Sequence, residues 1–523
     1  MRPFSHLLIA ILLLGLLAGP VQALPAQPGA PFSPAAQAVL AALPAGAKAT
    51  FTITLHDQLD PRSVLPPAPS AGIHPSNARL VAAQRSQAVI EGLEAHAAAS
   101  QQGFLAAARA LQAQGQVGKI TSLWIFNGIS IEADASAIQA LARRPEVALI
   151  RPDPDPSFKI VPSDDGLSRF AAATTQAPAA PLAPQTSYVQ PNIVLTNAPQ
   201  MWAAGFTGQG VVIASLDTGV DGTHPDLAPS YRGGSNSWFD PYRGTSTPYD
   251  PNSQGHGTHT MGIMVGSNTS GDPPSGHGAI GMAPGAKWIA AKIFDDSTGY
   301  VEANVHLAFQ WALTSGANVV NNSWGFQAFG SCSSSLTVFE PDIAALRAAG
   351  VIPVFSAGNS GSGNIPGTDG APANNPGAFS VGAIDNTSVT WYSSARGPNA
   401  CDSSLPFPYL AAPGVSVLSS VADLIPGVAN YATLTGTSMA APHVTGAIAL
   451  LLSALPGLPA NLQEYALTQG AFDLAPAGVD INTGYGRLDV YHSYQVVQSL
   501  WNPPFKMYVP LDRFLFEYFL PYQ

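Results

Sequence analysis

Asp217, His256 and Ser438 lie far apart along a chain of 523 residues, yet each stands where a reaction could use it. Asp217 closes the apolar run VVIASL and opens DTGVDGTHPDL. His256 lies in GHGTHTMGIMVG, between two glycines that clear space around its ring, at the entry to an apolar helix. Ser438 lies in LTGTSMAAPHVTGAIALLL, where the small-residue turn Gly436-Thr437-Ser438 runs into another apolar helix. The first N–H groups of a helix lack intrahelical partners, and that end of the dipole is positive. An oxygen placed there can attack a carbonyl and leave an oxyanion behind. Met439, Ala440 and Ala441 are slim enough for a substrate backbone to approach, and Pro442 is expected in the first helical turn, where its missing N–H costs nothing. A serine hydroxyl hardly ionises at neutral pH, so a neutral imidazole must take its proton and a carboxylate must steady the resulting cation. Singly, each residue has a commoner structural reading: a capping serine, a partly exposed histidine, a turn-forming aspartate. Together they supply a nucleophile, a base and a group that orients the base.

The elements needed to bring them together are legible around them. From Met201 onward, VVIASL (211–216), KWIAAKIF (287–294), ANVVNN (317–322), GVIPVFSAG (350–358) and AFSVGAI (378–384) are short, nearly continuous apolar runs. Helical stretches separate them, around 256–266, 301–315 and 337–349. Continuous rather than alternating apolar strands suit a parallel sheet covered on both faces, and such sheets carry their sites at the carboxyl ends of strands. Ahead of this region the order strand (KATFTITL), helix or helices (Ala83 to Gln112), hairpin turned at Asn127-Gly128, Asp-capped helix and final strand (VALIRPD) gives a split βαβ arrangement. Residues 24–45 read as a loose extension, and 152–190, rich in Pro, Ala, Ser and Thr, as an exposed linker that proteases cut.

Composition narrows the class. With 46% hydrophobic and 10% charged residues and a net charge of −11, the chain suits a large packed core and no nucleic-acid partner. Met1-Arg2-Pro3, the run LLIAILLLGLLAG, Pro20 and Val21-Gln22-Ala23 read as a signal peptide cut after Ala23. That run is short for a membrane span, and no later segment reads as long and apolar enough for one, so the protein is expected outside the cell and off the membrane. Cys332 and Cys401 match no zinc spacing, and a single disulfide or two free thiols fit them equally. The resulting division is a signal peptide (1–23), an N-terminal segment (24–151) with its α+β domain from about 47, a linker (152–190), an α/β domain (191–499) and an aromatic tail (500–523).

DTGVDGTHPDL, GHGTHTMGIMVG and GTSMAAPHVTGAIALLL resemble the three signature segments of the subtilisin-like serine proteases (subtilases), in the Asp, His, Ser order of subtilisin. The resemblance covers about residues 195–495, and GMAPGAKWIAAKIFDD, NNSWG and SARGPN are similar to further segments of the family. STPYDPNSQGHGTHT and PANNPGAFSVGAIDN are most similar to its bacillopeptidase F-like branch. The resemblance implies a doubly wound, mostly parallel α/β sheet of subtilisin type, preceded by a small ferredoxin-like α+β propeptide domain. It implies a secreted, monomeric serine endopeptidase that cleaves proteins and peptides through an acyl-enzyme, made as a zymogen inhibited by its own propeptide. Asn359, in FSAGNSG (355–361), matches the oxyanion segment and should donate its side-chain amide, with the Ser438 N–H as second donor. Ser323, Trp324 and Gly325 match the strand that pairs with substrate backbone beside the first specificity pocket; Trp324 either lines that pocket or packs inside. His259 and His443 read as structural. No catalytic cofactor is implied. A structural calcium is, since Asp226 in HPDL matches a family ligand, although the loop GSNTSGDPPSGHGAIG after Val265 is longer than the usual one.

Rival classes fit less well. A lipase or esterase would show GxSxG, and a zinc protease HExxH, whereas the turn here is GTSMA and His256 and His259 lack the glutamate. A secreted binding protein that kept the fold and lost catalysis would have lost one of the four residues.

Overall fold

The computed structural model describes residues 31–67, 77–156, 159–162, 189–251, 255–267, 278–295, 299–363, 365–422 and 430–501. The signal peptide, residues 163–188 of the linker and the tail beyond Trp501 lie outside the described residues.

The N-terminal unit runs α1 (Pro34–Ala42), β1 (Lys48–Leu55), α2 (Ala78–Ser100), α3 (Gln102–Ala113), β2 (Val117–Leu123), β3 (Gly128–Asp134), α4 (Ala135–Ala142), β4 (Val147–Pro152) and β5 (Ile160–Pro162). Its antiparallel sheet has the order β2-β3-β1-β4, the split βαβ arrangement expected from the sequence. Asp134 caps α4 by accepting from Ala137 N at 2.8 Å, again as expected. Three details differ. The stretch read as a loose extension contains α1, because Ser33 caps it at Ala36 N and Ala36 is fully buried against the sheet. The hairpin turns through Trp124–Asn127 rather than at Asn127-Gly128, since Gly128 already pairs with Leu123. The start of the expected linker is only partly exposed: Pro154, Pro156 and Lys159 face outward, but Asp153, Asp155 and Ile160 are buried.

The second unit runs α5 (Pro191–Leu195), α6 (Ala198–Ala203), β6 (Val212–Asp217), β7 (Trp238–Phe239), α7 (His256–Val265), β8 (Lys287–Lys292), β9 (Phe294–Asp295), β10 (Gly299–Tyr300), α8 (Glu302–Thr314), β11 (Val319–Asn322), β12 (Trp324–Phe326), α9 (Glu340–Ala348), β13 (Ile352–Ser356), β14 (Phe379–Ile384), β15 (Leu410–Pro413), β16 (Val417–Val421), β17 (Asn430–Leu434), α10 (Thr437–Ala454), α11 (Ala460–Gln469) and α12 (Val490–Trp501). Seven strands form one parallel sheet, β15-β14-β13-β11-β6-β8-β7, with α7 and α10 on one face and α8 and α9 on the other. The five apolar runs singled out in the sequence are its central strands. β6 and β8 run in step from Val212↔Lys287 to Asp217↔Lys292, so both end at the same rim.

α10 is buried along almost its whole length, and it is the one helix among the described residues long and apolar enough to cross a membrane. That corrects the expectation that no segment after the first is long and apolar enough for a span, and its burial makes it a core helix. Pro442 lies at its sixth residue rather than in its first turn. Lacking an N–H, it leaves the Ser438 carbonyl without its usual i→i+4 donor, and Ser323 Oγ–H donates there instead at 2.9 Å. Cys332 and Cys401 form a disulfide.

Candidate active site

Asp217 is the last residue of β6 and His256 the first of α7. Backbone must meet backbone to bring them together, and glycine permits it. A Cβ on Gly257 would lie 2.1 Å from Gly219 O, and one on Gly219, at φ +124°, would lie 2.2 Å from Tyr249 O. His256 Nδ1 sits 2.7 Å from Asp217 Oδ1, and both side chains are buried. An ionised carboxylate only accepts, so Nδ1 carries the hydrogen and Nε2 is left as the basic nitrogen. Asp217 is fixed in turn by Thr218 N at 2.7 Å and Thr260 Oγ–H at 3.3 Å.

Ser438 is the second residue of α10. α7 and α10 pack against each other, closely enough that a Cβ on Gly446 of α10 would lie 3.4 Å from Met264 O of α7. Ser438 Oγ–H donates to Ser323 O at 3.0 Å, while Ser323 Oγ–H donates back to Ser438 O. Asn359 follows β13. Its Oδ1 accepts from Thr437 N at 3.0 Å and from Thr437 Oγ–H at 2.9 Å, and Thr437 Oγ accepts from Gly358 N. Held by its carbonyl, Asn359 keeps Nδ2 buried with no hydrogen-bond acceptor, one residue from Ser438. A carbonyl oxygen turning negative would fill that gap.

Of the two readings of Trp324, packing inside is the one its surroundings favour. Its indole is fully buried against Phe309, Phe339 and Phe355. The backbone of β12 is the part that meets another chain segment: it pairs antiparallel with β5, Trp324↔Pro162, Gly325↔Val161 and Phe326↔Ile160. Gln327 N extends the ladder by donating to Lys159 O at 2.8 Å. The N-terminal unit thus lays an extended segment along β12, the strand that follows Ser323. It also grips α8. Asp153 accepts from Glu302 N (2.6 Å) and Ala303 N (3.0 Å), capping that helix from outside, and Gln310 Oε1 accepts from Trp124 N and Ile125 N. Arg151 pairs with buried Glu302 at 2.5 Å, and Phe126 packs on the His306 ring, tilted by 38° with centroids 4.2 Å apart. Burial pushes Asp153 up to about 6. Burial would raise Glu302 too, but the Arg151 and His306 cations hold it near 2. Burial works against the His306 cation, yet Asp342 at 2.8 Å and Glu302 raise it to about 9.

The remaining motif histidines have structural partners. Burial pushes His259 down to about 3, so Nε2–H donates to Val417 O and Ala432 O from a neutral ring. His443, pushed down to about 4, bridges Met439 O and Asn192. Asp226 accepts from Tyr431 Oη–H at 2.6 Å, and among the described residues no three His, Cys, Asp or Glu side chains are grouped to hold a metal. Sequence reasoning missed Thr437, Thr218, Thr260, Asp250 and Lys292 around the site. The first three sit beside residues already singled out, while Asp250 and Lys292 lie within the segments STPYDPNSQGHGTHT and GMAPGAKWIAAKIFDD, where nothing local distinguishes them from their neighbours.

The crystal structure of fervidolysin from Fervidobacterium pennivorans, a keratinolytic enzyme related to subtilisin, has the same fold at a TM-score of 0.56 and 23% identity, covering 86% of this chain and 61% of that one. Bacillopeptidase F of Bacillus subtilis (strain 168) is 33% identical over 472 residues, 84% of this chain and 30% of that protein. Fervidolysin is 34% identical over 308 residues (55% of this chain, 41% of that protein), and subtilisin E of Bacillus subtilis (strain 168) 34% over 259 (50% and 60%). The chain therefore spans less than two thirds of the length of these relatives. Residues 208–486, over half of the chain and all four of Asp217, His256, Asn359 and Ser438, match the model of the subtilase family, and the chain belongs to that family.

Proposed function

We propose that the protein is a secreted serine endopeptidase, made as a zymogen that its own N-terminal domain inhibits. The observation that carries this reading is β5: an extended segment of the chain occupies the edge of β12, beside Ser438, as a peptide substrate would. In the reaction Ser438 Oγ attacks the scissile carbonyl as His256 Nε2 takes its proton. Asp217 keeps the imidazole in the required tautomer and steadies its cation, and the proton then passes to the leaving amine. Asn359 Nδ2 and the Ser438 N–H receive the oxyanion. Water repeats the sequence on the acyl-enzyme. Protein and peptide chains are the substrates because β12 offers an edge to any extended backbone.

Residues of the N-terminal segment up to Pro162 act as the inhibitory propeptide, and the maturation cut falls a few residues beyond Pro162, within the span 152–190. The protein works outside the cell as a monomer, off the membrane, with no cofactor in the chemical step. A structural calcium would sit outside the described residues if it uses the loop after Ser267.

The test is direct. Wild-type protein secreted by a host lacking other proteases should carry one fluorophosphonate, on Ser438 by peptide mass. Its N-terminus should begin shortly after Pro162. Ser438→Ala should bind no probe and accumulate at full length. A wild-type chain that is folded yet unlabelled, or an alanine variant that matures normally, would refute the proposal.

A further inference from the structure

Lys292 is fully buried at the end of β8, in register with Asp217 on the neighbouring strand. Burying an ammonium group is costly unless partners receive it, and an apolar side chain of similar shape would fill the space at lower cost. Its partners converge on the pair Asp217–His256. Nζ donates to Thr218 O at 2.7 Å and lies 5.6 Å from the Tyr249 ring centroid. Thr218 is the residue whose N–H holds Asp217 Oδ1 and whose Oγ accepts from Gly257 N, in the first turn of α7. Asp250, also buried, completes that turn by accepting from Thr258 N at 3.0 Å and Thr258 Oγ–H at 2.8 Å. The first turn of α7 thus hangs from two groups, Thr218 and Asp250, and a lysine anchors the first of them.

We propose that Lys292 and Asp250, two buried residues of opposite charge, are positioning residues for the reaction that fix the α7 turn and set the pH range in which His256 serves as base. The inference rests on the reading of the chain as a serine protease. Charged and titratable groups around His256 come from every element packed on it. They are Asp217 on β6, Asp250 in the loop before α7, His259 on α7, Lys292 on β8 and, farther off, His443 on α10. His259 and His443 are held neutral by burial. Burial raises Asp250 to about 6, the Asp217 charge adds to that, and the Lys292 cation opposes it. Above about pH 6 two carboxylates therefore face one ammonium beside the imidazole.

Both signs of the effect can be read. Removing the cation favours the imidazolium, so Lys292→Met should move the acid limb of kcat/KM to higher pH. Removing the anion disfavours it, so Asp250→Asn should move the limb to lower pH. Each shift should be about half a unit to one unit, with the double variant near wild type. Mature enzymes are compared on a peptide p-nitroanilide, each normalised to active sites titrated with fluorophosphonate. Opposite shifts support the proposal; unmoved limbs, or limbs moving together, overturn it, because a merely structural role lowers kcat without displacing the limb. If Lys292→Met does not fold, Asp250→Asn decides alone: a downward shift supports, an unmoved limb overturns. Wild type that takes up no fluorophosphonate would instead defeat the protease reading.

Discussion

Asn359 shows how one side chain can be committed at one end and free at the other. Thr437 binds its carbonyl twice, which aims the amide at the space beside Ser438. Asn359→Ala should lower kcat by about 10²–10³ with KM little changed, since the donor is used only once charge develops. Thr437→Val leaves the amide in place but removes one of its two anchors, and a fall of about tenfold in kcat is expected. Both are read from steady-state kinetics on active-site-titrated enzyme. Equal losses in the two variants would mean that the amide does nothing without the Thr437 hydroxyl to hold it. The types Asp, His, Ser and Asn were legible because their neighbours were: glycines where backbones touch, and a small-residue turn at a helix start. Thr437 was not, because its role lies in a bond to a residue 78 positions away.

At the scale of elements, α8 is the helix on which the N-terminal domain rests. Its first N–H groups are capped by Asp153, its Glu302 is paired by Arg151, and its His306 lies beneath Phe126. Arg151→Met leaves the Glu302 carboxylate buried and unpaired by arginine, which costs about 3–5 kcal/mol where such pairs are broken. In full-length Ser438→Ala protein the added change should lower the unfolding midpoint clearly, and no drop would show that Glu302 is served by His306 alone. His306 also gives stability a pH slope. Its value in the folded chain is raised to about 9 from an ordinary 6.5, so its contribution is complete below about pH 6.5 and is lost as pH rises through 9. Asp153, raised to about 6, acts in the same direction over a lower range, favouring the folded chain as pH falls. Melting of Ser438→Ala protein between pH 6.5 and 9 should therefore show a falling midpoint, and His306→Gln should flatten it. The element order of the N-terminal sheet domain and the five central strands of the second domain could be read from apolar periodicity and caps. The helix α1 and the short β5 could not, since nine alanine-rich residues and a three-residue strand hold their shape only by what they pack against.

Across the whole molecule, the disulfide Cys332–Cys401 ties the segment after β12 to the segment before β15, across 69 positions of sequence. Chain-entropy estimates assign a loop of that length about 4 kcal/mol. Cys332→Ser/Cys401→Ser should lower the unfolding midpoint of the mature enzyme while leaving kcat nearly unchanged, and an unaltered midpoint would show that the loop is held without it. The sequence by itself determined which residues could react, the order of strands and helices, and the family resemblance, because these depend on residue type and short spacing. It left the cysteine pairing, the resting place of Trp324 and the burial of Lys292 open. Those were decided by tertiary structure alone. A disulfide, a buried indole and a buried ammonium are defined by neighbours that arrive from distant parts of the chain, and no local pattern encodes which neighbours those will be.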